Sequence, residues 1–253
     1  MKFEKEKQMS KIKLIALDMD GTLLRDDGSV SSYTKEIIKE ALDQHIQVVL
    51  CTGRPLKMCA DYAEALQLDS YLITCNGAEI WTVDYKLIER HIFPPGKVET
   101  LWQLGNKQNL HMWTVATDEI FRHSTRPADF NQHDWLKIGY GRLTEQMKTY
   151  LLNELKHDHT IEITNSSPSN LEINQIGVNK VHAVERLCQL SNISMQEVMA
   201  IGDSINDLKM LREVGLGVAV ENAQEEILDI ARVVTASNND DGVAKAIKNY
   251  ALT

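Results

Sequence analysis

Asp18 and Asp20 flank Met19 directly after an apolar run and stand before Gly21-Thr22. Carboxylates two residues apart leave the end of a strand on one side of the chain. Asp18 is placed to attack a phosphorus atom. Asp20 is placed to protonate the leaving group and then to activate water. Two acids are needed because an aspartyl-phosphate made in a first half-reaction must be hydrolysed in a second. Gly21 lets the backbone turn sharply beside a bulky anion. Thr52-Gly53-Arg54 closes a second apolar run, where a hydroxyl and an unshielded glycine amide can hold phosphoryl oxygens. Gly202-Asp203-Ser204-Ile205-Asn206-Asp207 closes a later one. Asp203 and Asp207 offer hard oxygen ligands for Mg²⁺, and Asn206 can orient a neighbouring carboxylate. Lys180 precedes the helix that leads to this segment and can neutralise a transferring phosphoryl group. Each feature also has an ordinary reading: an acidic loop, Thr52 as a helix cap before Pro55, Asp203 or Ser204 as another cap, a solvated lysine. Four of them, each at a strand end or a helix start, would share the crevice where open parallel sheets bind ligands, which the ordinary readings do not explain. Phosphate monoester hydrolysis is among the slowest uncatalysed reactions and draws on all of these groups.

Strands and helices must deliver these residues. Residues 12–17 read as a strand buried on both faces. Ser31 and Ser32 can cap a helix in which Ile37, Ile38, Ala41 and Leu42 recur at helical spacing. Residues 47–51 form a second strand, Pro55 opens a second helix, and residues 71–74 form a third strand. The rhythm returns with a helix over 181–190, a strand over 198–201, a helix over 206–214 and a strand over 216–220. A helix over 223–231, a short strand over 232–235 and a last helix to about residue 250 complete it. Such alternation predicts a Rossmann-like α/β core with a parallel sheet and right-handed crossovers, built from residues 1–83 and 178–253. Residues 84–177 read differently, as an inserted α+β unit. It holds hairpin-like segments (79–83 against 86–91), helices at 98–107 and 145–156, and strands at 110–116, 119–123, 160–164 and 170–173. Three of the four tryptophans and six of the eight histidines fall in this insert.

The chain has 253 residues, 43% hydrophobic and 25% charged, with five prolines and thirteen glycines, which excludes disordered and fibrous classes. A formal charge of −9 argues against general affinity for nucleic acid or anionic membranes. No apolar run is long enough to cross a bilayer, and the first ten residues alternate charge without the apolar core of a leader. Cys51, Cys59, Cys75 and Cys188 have neither CxxC nor zinc spacing and read as thiols in a reducing compartment. A cytoplasmic protein is expected.

Together the motifs resemble those of the haloacid dehalogenase superfamily of phosphatases, and more narrowly its Cof-type members with an α/β (type IIB) cap. The resemblance rests on Asp18–Thr22 with Leu23 and Leu24, Thr52-Gly53-Arg54, Asn76-Gly77-Ala78, Lys180, Gly202–Asp207 and the tail from Ser237 to Val243. It covers nearly the whole chain from Lys11. It implies Asp18 as nucleophile and Asp20 as general acid/base, with Thr52 and Lys180 holding the phosphoryl group beside Met19 and Gly53. Mg²⁺ would be ligated by Asp18, by Asp20 through its carbonyl, by Asp203 and by Asp207. Arg54, Asn76, Gly77 and Asn206 would support them. Val181 and Glu221 stand where relatives often have glycine. The implied substrates are small phosphorylated metabolites, sugar phosphates or cofactor phosphates such as flavin mononucleotide or pyridoxal phosphate. A phosphomutase or phosphotransferase would use the same motifs, and a phosphometabolite sensor would bind without turnover. In the insert, expected to close over the crevice, His91, His111, His123, His133, His157, His159, Arg90, Arg122 and Arg126 are candidate substrate contacts. Trp102, Trp113 and Trp135 are expected in its core.

Overall fold

The computed structural model describes residues 11–252; the charge-alternating opening decapeptide lies outside them. β1 (Leu14–Leu17) is buried throughout and sends Ile15 and Leu17 to one face, Leu14 and Ala16 to the other. A strand buried on both faces must sit mid-sheet. β1 does so, paired in parallel with β2 (Gln47–Cys51) on one side and β11 (Val198–Gly202) on the other. Outward from β2 lie β3 (Tyr71–Thr74), β4 (Glu79–Thr82) and β5 (Leu87–Arg90); outward from β11 lie β12 (Leu216–Ala219) and β13 (Val233–Val234). β4 and β5 are antiparallel to their neighbours, and the rest of this eight-stranded sheet is parallel. α1 (Ser32–Asp43) and α8 (Gly242–Tyr250) pack on one face, where Ile37, Ile38, Ala244 and Ile247 meet Ile15 and Leu17. α5 (Lys180–Ser191), α6 (Leu208–Glu213) and α7 (Glu225–Leu228) cover the other. Ser31 caps α1 by accepting the Thr34 N–H at 3.0 Å.

Several expectations shift. The hairpin β4–β5 belongs to the larger sheet, so the division expected after residue 83 cuts through it. The chain leaves that sheet only after Arg90, because the turn at Tyr85 (φ 61°) folds β5 back onto β4. Pro55 precedes a 3₁₀ turn at Leu56–Met58, and α2 (Ala60–Ala65) starts only beyond Cys59, whose φ of −124° breaks the helical path. The helix expected over 223–231 is the four-residue α7.

The second sheet has five strands in the order β7 (Ile120–Arg122), β6 (His111–Ala116), β8 (Trp135–Gly141), β10 (Leu171–Gln175), β9 (Ile161–Thr164), all antiparallel. α3 (Pro95–Lys107) and α4 (Glu145–Leu155) cover one face, enclosing Trp102, Trp135, Tyr140 and Ile173. The central strand β8 has no counterpart among the expected elements. Its other face carries no helix and turns toward the crevice of the first sheet.

Candidate active site

Asp18 ends β1, and the loop after the adjoining β11 brings Asp203 and Asp207 beside it. Gly202 makes this approach possible, since a Cβ there would lie 2.5 Å from the Asp207 carboxyl carbon. Asp207 turns back to accept the N–H groups of Asp203 (3.1 Å) and Ser204 (3.2 Å). Asp203 accepts the hydroxyls of Thr22 (2.8 Å) and Ser204 (2.7 Å). Lys180, in the first turn of α5, is buried and donates to Asp18 at 2.5 Å and Asp207 at 2.7 Å. An ammonium at a helix N-terminus opposes the helix dipole; here two carboxylates outweigh that cost. Gly77 (φ 97°) is packed so tightly on Asn179 that a Cβ would sit 2.5 Å from its carbonyl oxygen. Asn179 caps α5 through the His182 N–H at 3.1 Å, so this packing fixes where Lys180 emerges.

Asp20 stands apart from the buried trio. Its carboxylate is exposed and clamped by Arg54, Nε at 2.8 Å and Nη2 at 2.5 Å. That pair, through its hydrogen bonds first, raises the Arg54 pKa. The carboxylates close enough to share one cation are Asp18, Asp203 and Asp207, so Asp20 is left only its main-chain carbonyl for such a role. Met19 buries its side chain in the core, and only its main chain can meet an anion. Thr52 is buried at the end of β2, and its hydroxyl accepts the Arg54 N–H at 3.1 Å. Asn76, in the left-handed region (φ 60°), donates to Glu172 at 2.6 Å and accepts from Asn206 at 3.3 Å. Asn238 of the tail motif braces the first loop by donating to the Leu24 carbonyl (2.9 Å), and Asn222, after β12, donates to that of Gly21 (2.7 Å).

A cavity of about 360 Å³ lies between these loops and the second sheet, reaching from Asp18 and Asp20 to Trp113, Arg122 and Lys137. Of the expected contacts from the insert, His111 and Arg122 line it. Arg90 instead pairs with Glu79 at 2.7 Å, His91 with Glu89 at 2.9 Å, and His133 approaches Asp118 at 3.3 Å. Trp102 and Trp135 occupy the core as expected, whereas half-buried Trp113 faces the cavity. Sequence reasoning missed the pair formed by Lys137 and Glu172, 2.8 Å apart and buried in the cavity wall. Burial works against the charge on Glu172, but Lys137 and the donors Asn76 and Ser166 hold its pKa below the usual range. No local pattern announces a pair from separate strands.

The profile of the haloacid dehalogenase-like hydrolases matches residues 15–135 and 124–247. The chain belongs to that family. It is 42% identical over 241 residues to the 5-amino-6-(5-phospho-D-ribitylamino)uracil phosphatase YcsE of Bacillus subtilis, covering 95% of this chain and 96% of that protein. A solved haloacid dehalogenase-like hydrolase from B. subtilis superposes with a TM-score of 0.87 at 25% identity, over 94% of this chain and 99% of that one. A subclass IIB sugar phosphatase shares the fold with a TM-score of 0.81 at 24% identity, over 95% of this chain and all (100%) of that one. The resemblance drawn from the motifs, Cof-type cap included, therefore holds.

The acidic trio of this hydrolase suits a hard divalent cation. One carboxylate oxygen from each of Asp18, Asp203 and Asp207 lies within 4.8 Å of the others. Burial, then Asp207, pushes Asp203 up to about 6. Burial raises Asp18 well above the usual carboxylate range, with Lys180 opposing and the other two acids adding to the rise. Burial also works against the charge on Lys180, but Asp18 and Asp207 outweigh it and hold its pKa high. Three acids around one ammonium leave an excess of buried negative charge, the environment oxygen-ligated Mg²⁺ prefers. Asn206 Oδ1 is buried beside them without a hydrogen-bond partner.

Among the described residues no helix is long and apolar enough to cross a membrane. All four cysteines are free and buried.

Proposed function

We propose that this hydrolase is a cytoplasmic, Mg²⁺-dependent phosphatase of small phosphorylated metabolites working through an aspartyl-phosphate. The observation that carries the reading is the meeting of Lys180, Asp203 and Asp207 around Asp18, which lines the cavity together with Asp20. Asp18 attacks phosphorus while the bond to the leaving oxygen breaks, and Asp20 delivers the proton that oxygen needs. Water then attacks the aspartyl-phosphate, Asp20 takes its proton, and the bond between phosphorus and Asp18 breaks to release inorganic phosphate. Lys180 and Thr52, with the main chain at Met19 and Gly53, hold the phosphoryl oxygens. Asp18, Asp203, Asp207 and the Asp20 carbonyl would hold Mg²⁺, which supplies positive charge to the phosphoryl group. Arg54 keeps the Asp20 carboxylate at the mouth of the cavity.

The kinship with YcsE puts 5-amino-6-(5-phospho-D-ribitylamino)uracil first among substrates to try, ahead of other sugar and cofactor phosphates. The test is phosphate release from such a panel with and without Mg²⁺. Asp18→Asn should abolish release while leaving the melting temperature near that of the wild type. Normal turnover by that variant would remove Asp18 from the mechanism. Free phosphate equal to substrate consumed marks hydrolysis; transfer to a second metabolite would make the enzyme a phosphotransferase.

A further inference from the structure

The second sheet has two unlike faces. Alternation along β6 sends Met112 into the helix-covered core, while His111, Trp113 and Val115 turn toward the catalytic loops. Across the strand pair, Trp113 stands opposite Gly139 and His111 opposite Gly141. A Cβ built on Gly139 would lie 2.3, 2.5 and 2.8 Å from three atoms of the Trp113 ring system, and one on Gly141 would lie 3.1 Å from it. The indole therefore lies across β8 over positions where no side chain stands, with one face on the backbone. Trp102 and Trp135, which fill the core of this unit, are each 0% exposed. Trp113 instead lines the cavity that Asp18 and Asp20 also line, among Pro55, Met58, Val115 and Ile120. The phosphate site is thus faced by a broad aromatic surface in apolar company.

We infer that Trp113 selects the leaving group, stacking against the planar ring of a phosphate ester that bears one. The inference rests on the phosphatase reading above and adds the substrate class: esters whose alcohol carries a flat aromatic or heteroaromatic system. Stacking of a base on an aromatic side chain changes affinity by about tenfold in single substitutions.

A matched pair of probes isolates the ring. Flavin mononucleotide and ribitol phosphate share the phosphorylated polyol, and only the first carries a ring system. Trp113→Leu should lower kcat/KM for flavin mononucleotide by about tenfold, chiefly through KM, and leave ribitol phosphate within about twofold. Trp113→Phe should recover most of the loss. Equal losses on both probes, or none on flavin mononucleotide, would overturn the inference and mark Trp113 as packing alone. Should the wild type release phosphate from neither ester, the phosphatase reading fails on these probes and equilibrium dialysis decides the inference. Tighter binding of flavin mononucleotide than of ribitol phosphate, lost in Trp113→Leu, supports it; equal binding of the two overturns it.

Discussion

Asp18 and Asp207 share one buried ammonium and crowd Asp203, and the consequence shows in how stability should follow pH. Burial, then Asp207, raises Asp203 to about 6, above its ordinary value of 3.8. A carboxylate raised in this way binds a proton more readily folded than unfolded. Its charge therefore costs stability at neutral pH, and the cost fades as pH falls through about 6 toward the ordinary value. Metal-free protein should melt at a higher temperature near pH 5.5 than near pH 7.5. Mg²⁺, by binding the charged form, should raise the melting temperature most at the higher pH and flatten the profile. A metal-free melting temperature that instead climbs from pH 5.5 to 7.5 would contradict the crowding. These acids were legible in sequence because each pair lies within a few residues, after an apolar run that ends a strand. Their partner Lys180 was only weakly legible from its place before a helix, since most lysines are solvated, and the family resemblance strengthened that reading.

At the scale of elements, most of the larger sheet could be read from apolar runs; β2 and β3 have the bounds the pattern predicts. β8 could not. Its sequence, Trp-Leu-Lys-Ile-Gly-Tyr-Gly, mixes a lysine and two glycines into a strand buried at every position. The glycines make room for the Trp113 ring and the lysine pairs across the sheet with Glu172, so the apparent breakers answer to neighbours on other strands. The hairpin β4–β5 was legible as a hairpin, but nothing in its residues says which sheet it joins. The Lys137–Glu172 pair yields a stability prediction. Glu172→Gln leaves a buried ammonium without its counter-charge, and breaking such pairs costs about 3–5 kcal/mol. Urea denaturation should show a loss of that order, largely recovered in the apolar double variant Lys137→Met/Glu172→Leu. A loss below about 1 kcal/mol in Glu172→Gln would mean that water reaches Lys137 and the pair is not structural.

For the molecule as a whole, the question is how substrate enters a cavity roofed by the second sheet. The loop after β9 rests on the same segment that carries Asp203. Asn206 donates its N–H to the Asn165 carbonyl at 3.0 Å, Ser204 its hydroxyl to the Ser166 carbonyl at 3.2 Å, and Gln224 its amide to Asn165 at 2.9 Å. Lys209, half-exposed on α6, pairs at the rim with Glu162 on β9. These contacts hold the cap sheet down over the cavity, and a lid of this kind shapes both substrate capture and product release. Neither residue of this pair lines the cavity. Lys209 is half solvated, but its partner Glu162 is only 8% exposed. Glu162→Lys should therefore lower the melting temperature, since it buries an unpaired ammonium, while placing two ammonium groups against each other. Favouring the open cap should raise KM for a generic phosphate ester severalfold. The charge-swapped double variant Glu162→Lys/Lys209→Glu should bring KM back, because attraction across the rim is restored in the opposite sense. If the swap leaves KM as high as the single variant does, the rim pair does not hold the cap, and the contacts of Asn165 and Ser166 with the Asp203 loop must hold it alone.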